Sequence, residues 1–224
     1  VISILLGILL RLYSWTIFEF KHDQSLAVKA GKWVIAENFL ILHGMLSGIG
    51  LPNPPGFYWF MGLVSFFTSD ISSVALIFTL LSVLSIPVWI LGIKKFIRRE
   101  AVLISGAFLS ILPSLIIYSS NIWAQSLLPF INILLFCSII RFLSGEGKFW
   151  WIISFWLNCI GASLHLSAFF LFPFTVYCAI IGKTGLKVFL YSLIPPLLIF
   201  LPYSIFCGKL LIYNGLPSST ENII

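Results

Sequence analysis

The chain has 224 residues, 60% of them hydrophobic and 9% charged, with a mean hydropathy of +1.09 and a formal net charge of +6. Soluble domains carry about a quarter charged residues, so an ordinary globular domain, a disordered chain and a secreted disulfide scaffold are excluded. The apolar residues come in long runs without alternation, which argues against a transmembrane barrel and for helices whose backbone groups are paired internally.

In chain order, Val1 to Tyr13 reads as the outer part of a first span, with Arg11 near its outer end. The run Val1 to Leu10 is shorter than the about 20 residues of a full span. No small-residue cleavage site follows it, so a signal peptide is not expected. With a tail that stops soon after Ser218-Ser219-Thr220, this suggests a piece cut from a longer chain.

Ser14 to Ile71 does not span. Within Gln24 to Ser47, Leu26, Ala30, Trp33, Val34, Leu40 and Ile41 recur at helical spacing, with Lys29, Lys32 and His43 elsewhere on the wheel. That predicts a helix lying on the membrane surface. Gly44, Gly48, Gly50, Pro52, Pro54 and Pro55 break it. Gly56 to Phe67 is apolar and aromatic but short, a second interfacial helix with Pro55 suited to its start.

Six further spans are expected: Ser72–Ile93, Ala101–Tyr118, Ala124–Ile140, Trp150–Leu164, Leu166–Ile181 and Val188–Phe206. Together they predict an all-α polytopic bundle of about seven spans in one domain, residues 1–224. No period of 20–50 residues and no inverted repeat is present. Lys94, Lys95, Arg98, Arg99, Arg141, Lys148, Lys183 and Lys187 then fall on one side, predicted to be cytoplasmic. Lys21, Lys29, Lys32 and Lys209 fall on the other. This arrangement explains the positive charge through orientation in the bilayer, not through nucleic acid. Cys137, Cys159 and Cys178 lie in apolar runs, and with Cys207 they have no motif spacing, so neither a disulfide framework nor a zinc site follows.

The polar inventory is lopsided. The cytoplasmic loops hold Glu100 and Glu146, whereas Glu19, Asp23, Glu37, Asp70, Glu221 and all three histidines fall outside. A reaction site would therefore face away from the cytoplasm. The densest cluster is Glu19-Phe20-Lys21-His22-Asp23-Gln24. Asp23 there fits a general base for a hydroxyl or amine, or the N-cap of a helix beginning near Gln24. Lys21, Lys29, Lys32 and Arg11 fit a lipid-linked phosphate, or the lysines a solvated face touching headgroups. Leu51 to Trp59, including Tyr58, fits a pocket wall or a Pro-rich turn with interfacial anchors. Asn121 and Gln125 would share a face if helical and could bind sugar hydroxyls, or they mark a polar hairpin turn. His165, between two short spans, suits an outward cavity, or hydrogen bonding to Asn158 or Ser167. No phosphate-binding Gly-rich loop, Ser-His-Asp set, HExxH or CxxC occurs.

Five stretches in this order resemble the GT-C membrane glycosyltransferases, in the bacterial and archaeal group related to protein O-mannosyltransferases and aminoarabinose transferases. They are Arg11-Leu12-Tyr13, His22-Asp23-Gln24, Asn53-Pro54-Pro55-Gly56-Phe57-Tyr58, Tyr118-Ser119-Ser120-Asn121-Ile122-Trp123 and Leu164-His165-Leu166-Ser167-Ala168. The resemblance covers most of the chain. It implies transfer of a sugar from a polyprenyl-phosphate donor to an unidentified protein, lipid or glycan acceptor outside the cytoplasm. Asp23 would be the general base, with inversion at the anomeric carbon. Arg11 and Lys21 would hold the donor phosphate, and His22, Tyr58, Asn121, Gln125 and His165 would line the cavity. The second outer loop offers Asn121 and Gln125 where some members carry acids, so no metal and no other cofactor is expected. The resemblance further implies a prokaryotic plasma membrane and a longer parent chain. A lipid-linked-sugar flippase or transporter, or a non-catalytic membrane subunit, is the alternative.

Overall fold

Some of the prolines mark where apolar runs break. The computed structural model describes residues 2–36, 41–45 and 51–214, with side chains as far as 209. Val1, Glu37, Leu40, Ser47, Gly48, Gly50 and the stretch Ser218 to Glu221 lie outside the described residues. The helices are α1 (Ile2–Thr16), α2 (His22–Ala36), α3 (Gly56–Phe67), α4 (Ile71–Ile93), α5 (Arg99–Ile111), α6 (Pro113–Ile117), α7 (Ala124–Leu143), α8 (Phe149–Leu164), α9 (Phe172–Ile181), α10 (Leu186–Ser192) and α11 (Ile194–Asn214). A 3-10 segment, Leu166–Leu171, precedes α9. The described residues form no strand.

The run Ala101–Tyr118, expected as one span, is two helices. Pro113 pushes Leu112 out of helical geometry, to ψ 117°, and itself opens α6. The run Leu166–Ile181 is likewise divided between the 3-10 segment and α9, with Pro173 in the first turn of α9. Pro195 and Pro196 open α11, which bends by 43° from α10. Pro87 and Pro129 sit inside α4 and α7 without ending them.

By length and composition, α4 (23 residues) and α7 (20 residues) can cross a bilayer. The bent pair of α10 with Ile194–Lys209 passes the same test, giving up to three spans among the described residues where about seven were expected. α1, α3 and α8 are apolar but 12 to 16 residues long. At 1.5 Å per residue they fall short of the ~30 Å hydrocarbon core.

α4 and α7 run parallel. Phe78 and Leu127 share one apolar cluster near their starts, Gly92 abuts Cys137 further along, and Lys95 meets Glu146 at 2.6 Å beyond their ends. α8 returns antiparallel to α7: Phe142 packs on Trp151 at one end, and Gln125 lies 3.0 Å from His165 at the other. α1 opposes α4, with Trp15 Nε1 donating to the Ser72 carbonyl at 2.9 Å and Arg11 Nε to Ser82 Oγ at 3.0 Å. Two poles result. One carries Lys94, Lys95, Arg98, Arg99, Arg141 and Lys148, with the 182–185 turn packed beside Phe142 and Lys148. The other gathers α2, α3 and the ends of α1 and α8, and we term it the loop pole.

The loop pole has its own core. Ala27 of α2, Phe57 and Met61 of α3, Phe78 of α4, Ile122 and Leu164 are buried together. α2 and α3 cross closely because Gly31 lies against the Met61 backbone and Gly62 against Val34, where a Cβ has no room. Gly44 N–H donates to the Asn53 carbonyl at 2.6 Å and Asn53 N–H to that of Met45 at 2.8 Å. α11 pins this pairing: Tyr203 donates to the Pro52 carbonyl at 2.6 Å, and Phe206 stacks on His43.

Candidate functional site

All five resembling stretches come to the loop pole. Ser14 Oγ lies 3.0 Å from Ser120 Oγ, joining the end of α1 to the turn before α7. Gly56 sits against Ser163, joining α3 to the end of α8. Gln125 and His165 join α7 to the junction after α8.

Asp23 is exposed in the first turn of α2, one turn before the buried Ala27 on the same face. The helix begins at His22, earlier than expected, and this moves the cap. Gln24 Oε1 accepts the Lys21 backbone N–H at 3.1 Å, the reach-back half of a capping box. Gln24 is buried while it does so. The expectation that Asp23 caps a helix starting near Gln24 is therefore corrected. Among the described residues the Asp23 carboxylate has no hydrogen-bond or ion-pair partner. His22 is exposed beside it, and its carbonyl accepts from Ser25 Oγ at 2.6 Å.

Lys21 pairs with Glu19 at 2.7 Å, both exposed. The pair holds the Glu19 carboxyl below its usual range and raises the Lys21 ammonium above its own. Tyr58 is half-buried against the loop-pole core, and burial pushes its hydroxyl up to about 12, so it stays a donor. Asn121 stands in the turn before α7, whose first residue is Ala124. It therefore does not share a helix face with Gln125, as the spacing had suggested.

His165 caps the 3-10 segment. Its Nδ1 accepts the Ser167 backbone N–H at 3.2 Å and lies 2.8 Å from Ser167 Oγ. Gln125 Nε2 stands 3.0 Å from His165 Nε2; a neutral ring with an accepting Nδ1 carries its proton on Nε2, so the pair becomes a hydrogen bond when the Gln125 amide is turned to present its oxygen. Desolvation lowers the imidazole from its ordinary value and favours that neutral form. Asn158, weighed as a partner for His165, instead donates to Thr175 Oγ1 at 2.8 Å.

Arg11 departs most from expectation. It is completely buried. Nε donates to Ser82 Oγ, one terminal nitrogen donates to the carbonyls of Gly7 (3.1 Å) and Ser110, and the other to that of Leu109 (2.8 Å). Leu109 and Ser110 lie in the last turn of α5, where carbonyls lack helical partners. Pro113, with no N–H, cannot serve Leu109. Arg11 fills that place, so direct contact with a donor phosphate is corrected to a bond with the broken helix.

A cavity of about 390 Å³ opens between α4, α6 and the start of α7, lined by Ser82, Ser114, Leu115, Tyr118, Ser119, Trp123, Gln125, Ser126 and Pro129. Sequence reasoning placed only Gln125 of these at a cavity. Ser82 sits amid an apolar run with no local signal; the visible hint was a lone arginine in another such run. A second cavity of about 280 Å³ is apolar, walled by Trp59, Phe60, Leu81, Phe130 and Ile160 among others. Among the described residues no group of histidine, cysteine and carboxylate side chains could hold a metal ion. No family model, curated protein or solved structure matches the chain.

Proposed function

We propose that the chain is part of a membrane glycosyltransferase of the GT-C kind, moving a sugar from a polyprenyl-phosphate donor to an acceptor at the loop pole. The observation that carries this reading is the free carboxylate of Asp23, one turn from the core that also holds Ile122 and Leu164. Those residues neighbour Asn121 and His165, so a base and polar side chains share one pole of a helical membrane protein. In the proposed step Asp23 takes the proton of the acceptor hydroxyl, whose oxygen bonds to the anomeric carbon as the bond to phosphate breaks. Phosphate departs on its lipid, and attack opposite the leaving group inverts the centre. Lys21, exposed two residues before Asp23, would turn from Glu19, its partner at 2.7 Å, to meet the leaving phosphate. The cations at the opposite pole support a cytoplasmic location there and an extracytoplasmic one for Asp23.

The test is sugar transfer from radiolabelled polyprenyl-phosphate sugars in membranes carrying the full chain. Asp23→Asn is expected to abolish label movement with expression unchanged. Equal transfer by the variant removes Asp23 as base. No transfer by the unaltered chain from any donor favours the transporter or subunit alternative.

A further inference from the structure

We propose that α11 is a hinged strap that gates the apolar cavity of about 280 Å³ and, when it lifts, admits an acyl chain of the surrounding bilayer. Trp59 and Phe60 of α3, Leu81 of α4, Phe130 of α7 and Ile160 of α8 wall this cavity, and Ile199 closes it from α11. No charged side chain lines it. Two of its walls, α4 and α7, are helices of bilayer length. Helical spacing puts Ile199, Tyr203 and Phe206 on one face of α11. The opposite face exposes Leu197, Leu198, Leu201 and Ile205. Hydrocarbon therefore suits the outer face of the strap as well as the cavity behind it, so lifting the strap joins the cavity to lipid chains and not to water.

The root of α11 is a hinge. Pro195 and Pro196 supply no N–H to the carbonyls four residues back, those of Tyr191 and Ser192. The axis bends by 43° there. Below the bend α10 is anchored, with Phe189 meeting Phe155 at 6.5 Å and Leu193 packed on the same cluster. Above it α11 is lightly held. No residue from 194 to 209 is buried, whereas α4, α7 and α8 each bury several. Elements with few buried apolar contacts open at the lowest free energy. Phe200 rests on Phe169 at 5.1 Å. Further along, α11 is latched at two points: Tyr203 donates to the Pro52 carbonyl at 2.6 Å, and Phe206 stacks on His43 at 4.6 Å. A proline hinge, a lightly held body and a latch of one hydrogen bond and one ring pair suit an element that pivots as a unit. The strap needs nothing from the transferase reading, and failure of either leaves the other standing.

Fluorescence quenching tests this, with the full chain in vesicles of dibromo-phosphatidylcholine and iodide as the water-borne quencher. The contribution of Trp59 is the signal lost in Trp59→Phe. Tyr203→Phe removes the latch hydrogen bond and keeps the ring. Loss of one hydrogen bond of ordinary net strength shifts opening about fivefold, so quenching of Trp59 by brominated chains is expected to at least double. Iodide quenching of Trp59 should stay unchanged. Pro196→Ala returns an N–H to the hinge and should lower the brominated-chain quenching. Trp151, fully buried in the cluster that anchors α10, reports the fold and should be indifferent to all of these changes. Unchanged quenching of Trp59 in Tyr203→Phe, a rise with iodide in its place, an equal rise at Trp59 and Trp151, or greater quenching in Pro196→Ala overturns the proposal.

Discussion

The two poles of the α4–α7 pair handle charge in opposite ways. At the basic pole many cations share little structure: Lys95 and Glu146 meet at 2.6 Å, Arg141 reaches Glu146 at 3.8 Å, and Arg141 covers the Trp150 ring at 4.4 Å. Their side chains remain at least partly in solvent, where such pairs are worth about 0–1 kcal/mol. Near the loop pole a single cation, Arg11, is sealed inside and bonded to backbone carbonyls and one hydroxyl. Many solvated charges orient a membrane protein, whereas one desolvated charge completes its hydrogen bonding. Counting residues finds the first kind and misses the second.

That contrast breaks most visibly at Arg11. Arg11→Met leaves the Leu109 and Ser110 carbonyls without donors, and a cost of about 1–3 kcal/mol for each buried carbonyl left unpaired is expected. Pro113→Ala restores an N–H to the position that Leu109 would use in an unbroken helix. The double variant should therefore lose less than the two single variants summed. Unfolding titrations in micelles that give simple additivity would show that Arg11 does not replace the missing proline N–H.

A smaller effect is expected where the loop pole is tightest. A Cβ on Gly56 would stand 2.7 Å from the Ser163 carbonyl oxygen, backbone that cannot turn aside. Gly56→Ala should cost about 1–3 kcal/mol through overpacking. A Gly145→Ala control, at a φ of +84° with open space around it, separates packing from backbone strain. If Gly56→Ala unfolds at the same denaturant concentration as the unaltered chain, α3 and α8 are not in the contact described.

His165 adds a pH dependence to the same pole. Desolvation places its folded pKa below the unfolded value of about 6.5. The unfolded chain therefore binds the proton more readily, and stability present above that pH is lost as pH falls through the folded value. Protonation also turns the accepting Nδ1 into a donor and removes the cap on Ser167 N–H. Melting temperature should fall between neutral and mildly acidic pH, and His165→Gln should flatten that slope. An equal slope in the variant would assign the dependence to another group.

How much of this was legible in the sequence depends on the range of the interaction. α4 and α7 follow from uninterrupted apolar runs, and Asp70, whose carboxylate accepts from Ser73 N–H at 2.8 Å, shows the local chemistry that starts α4. The break at Pro113 was readable too, since the residue before proline leaves helical geometry, yet hydropathy alone made Ala101–Tyr118 one span. The cap of α2 was misplaced because the helix starts at His22, which hands the reach-back to Gln24. Apart from the one to Gly7, the Arg11 bonds join residues 71 to 99 positions apart, and those to Leu109 and Ser110 depend on a break in another helix. No window along the sequence contains both partners.

The smallest effect is expected at the basic pole and gives the comparison its control. Glu146→Gln removes the carboxylate shared by Lys95 and Arg141, leaving its neighbours partly in water. Exposed cations regain solvation when a partner is lost, so stability should change by no more than about 1 kcal/mol, and the change should shrink as salt is added. Arg11→Met in the same experiment removes a group whose partners have no water to turn to. Two substitutions, each deleting one charge, should then differ several-fold in their effect on unfolding. If Glu146→Gln proves as damaging as Arg11→Met, burial is not what distinguishes the poles, and the basic pole is held by a network stronger than its exposed geometry allows.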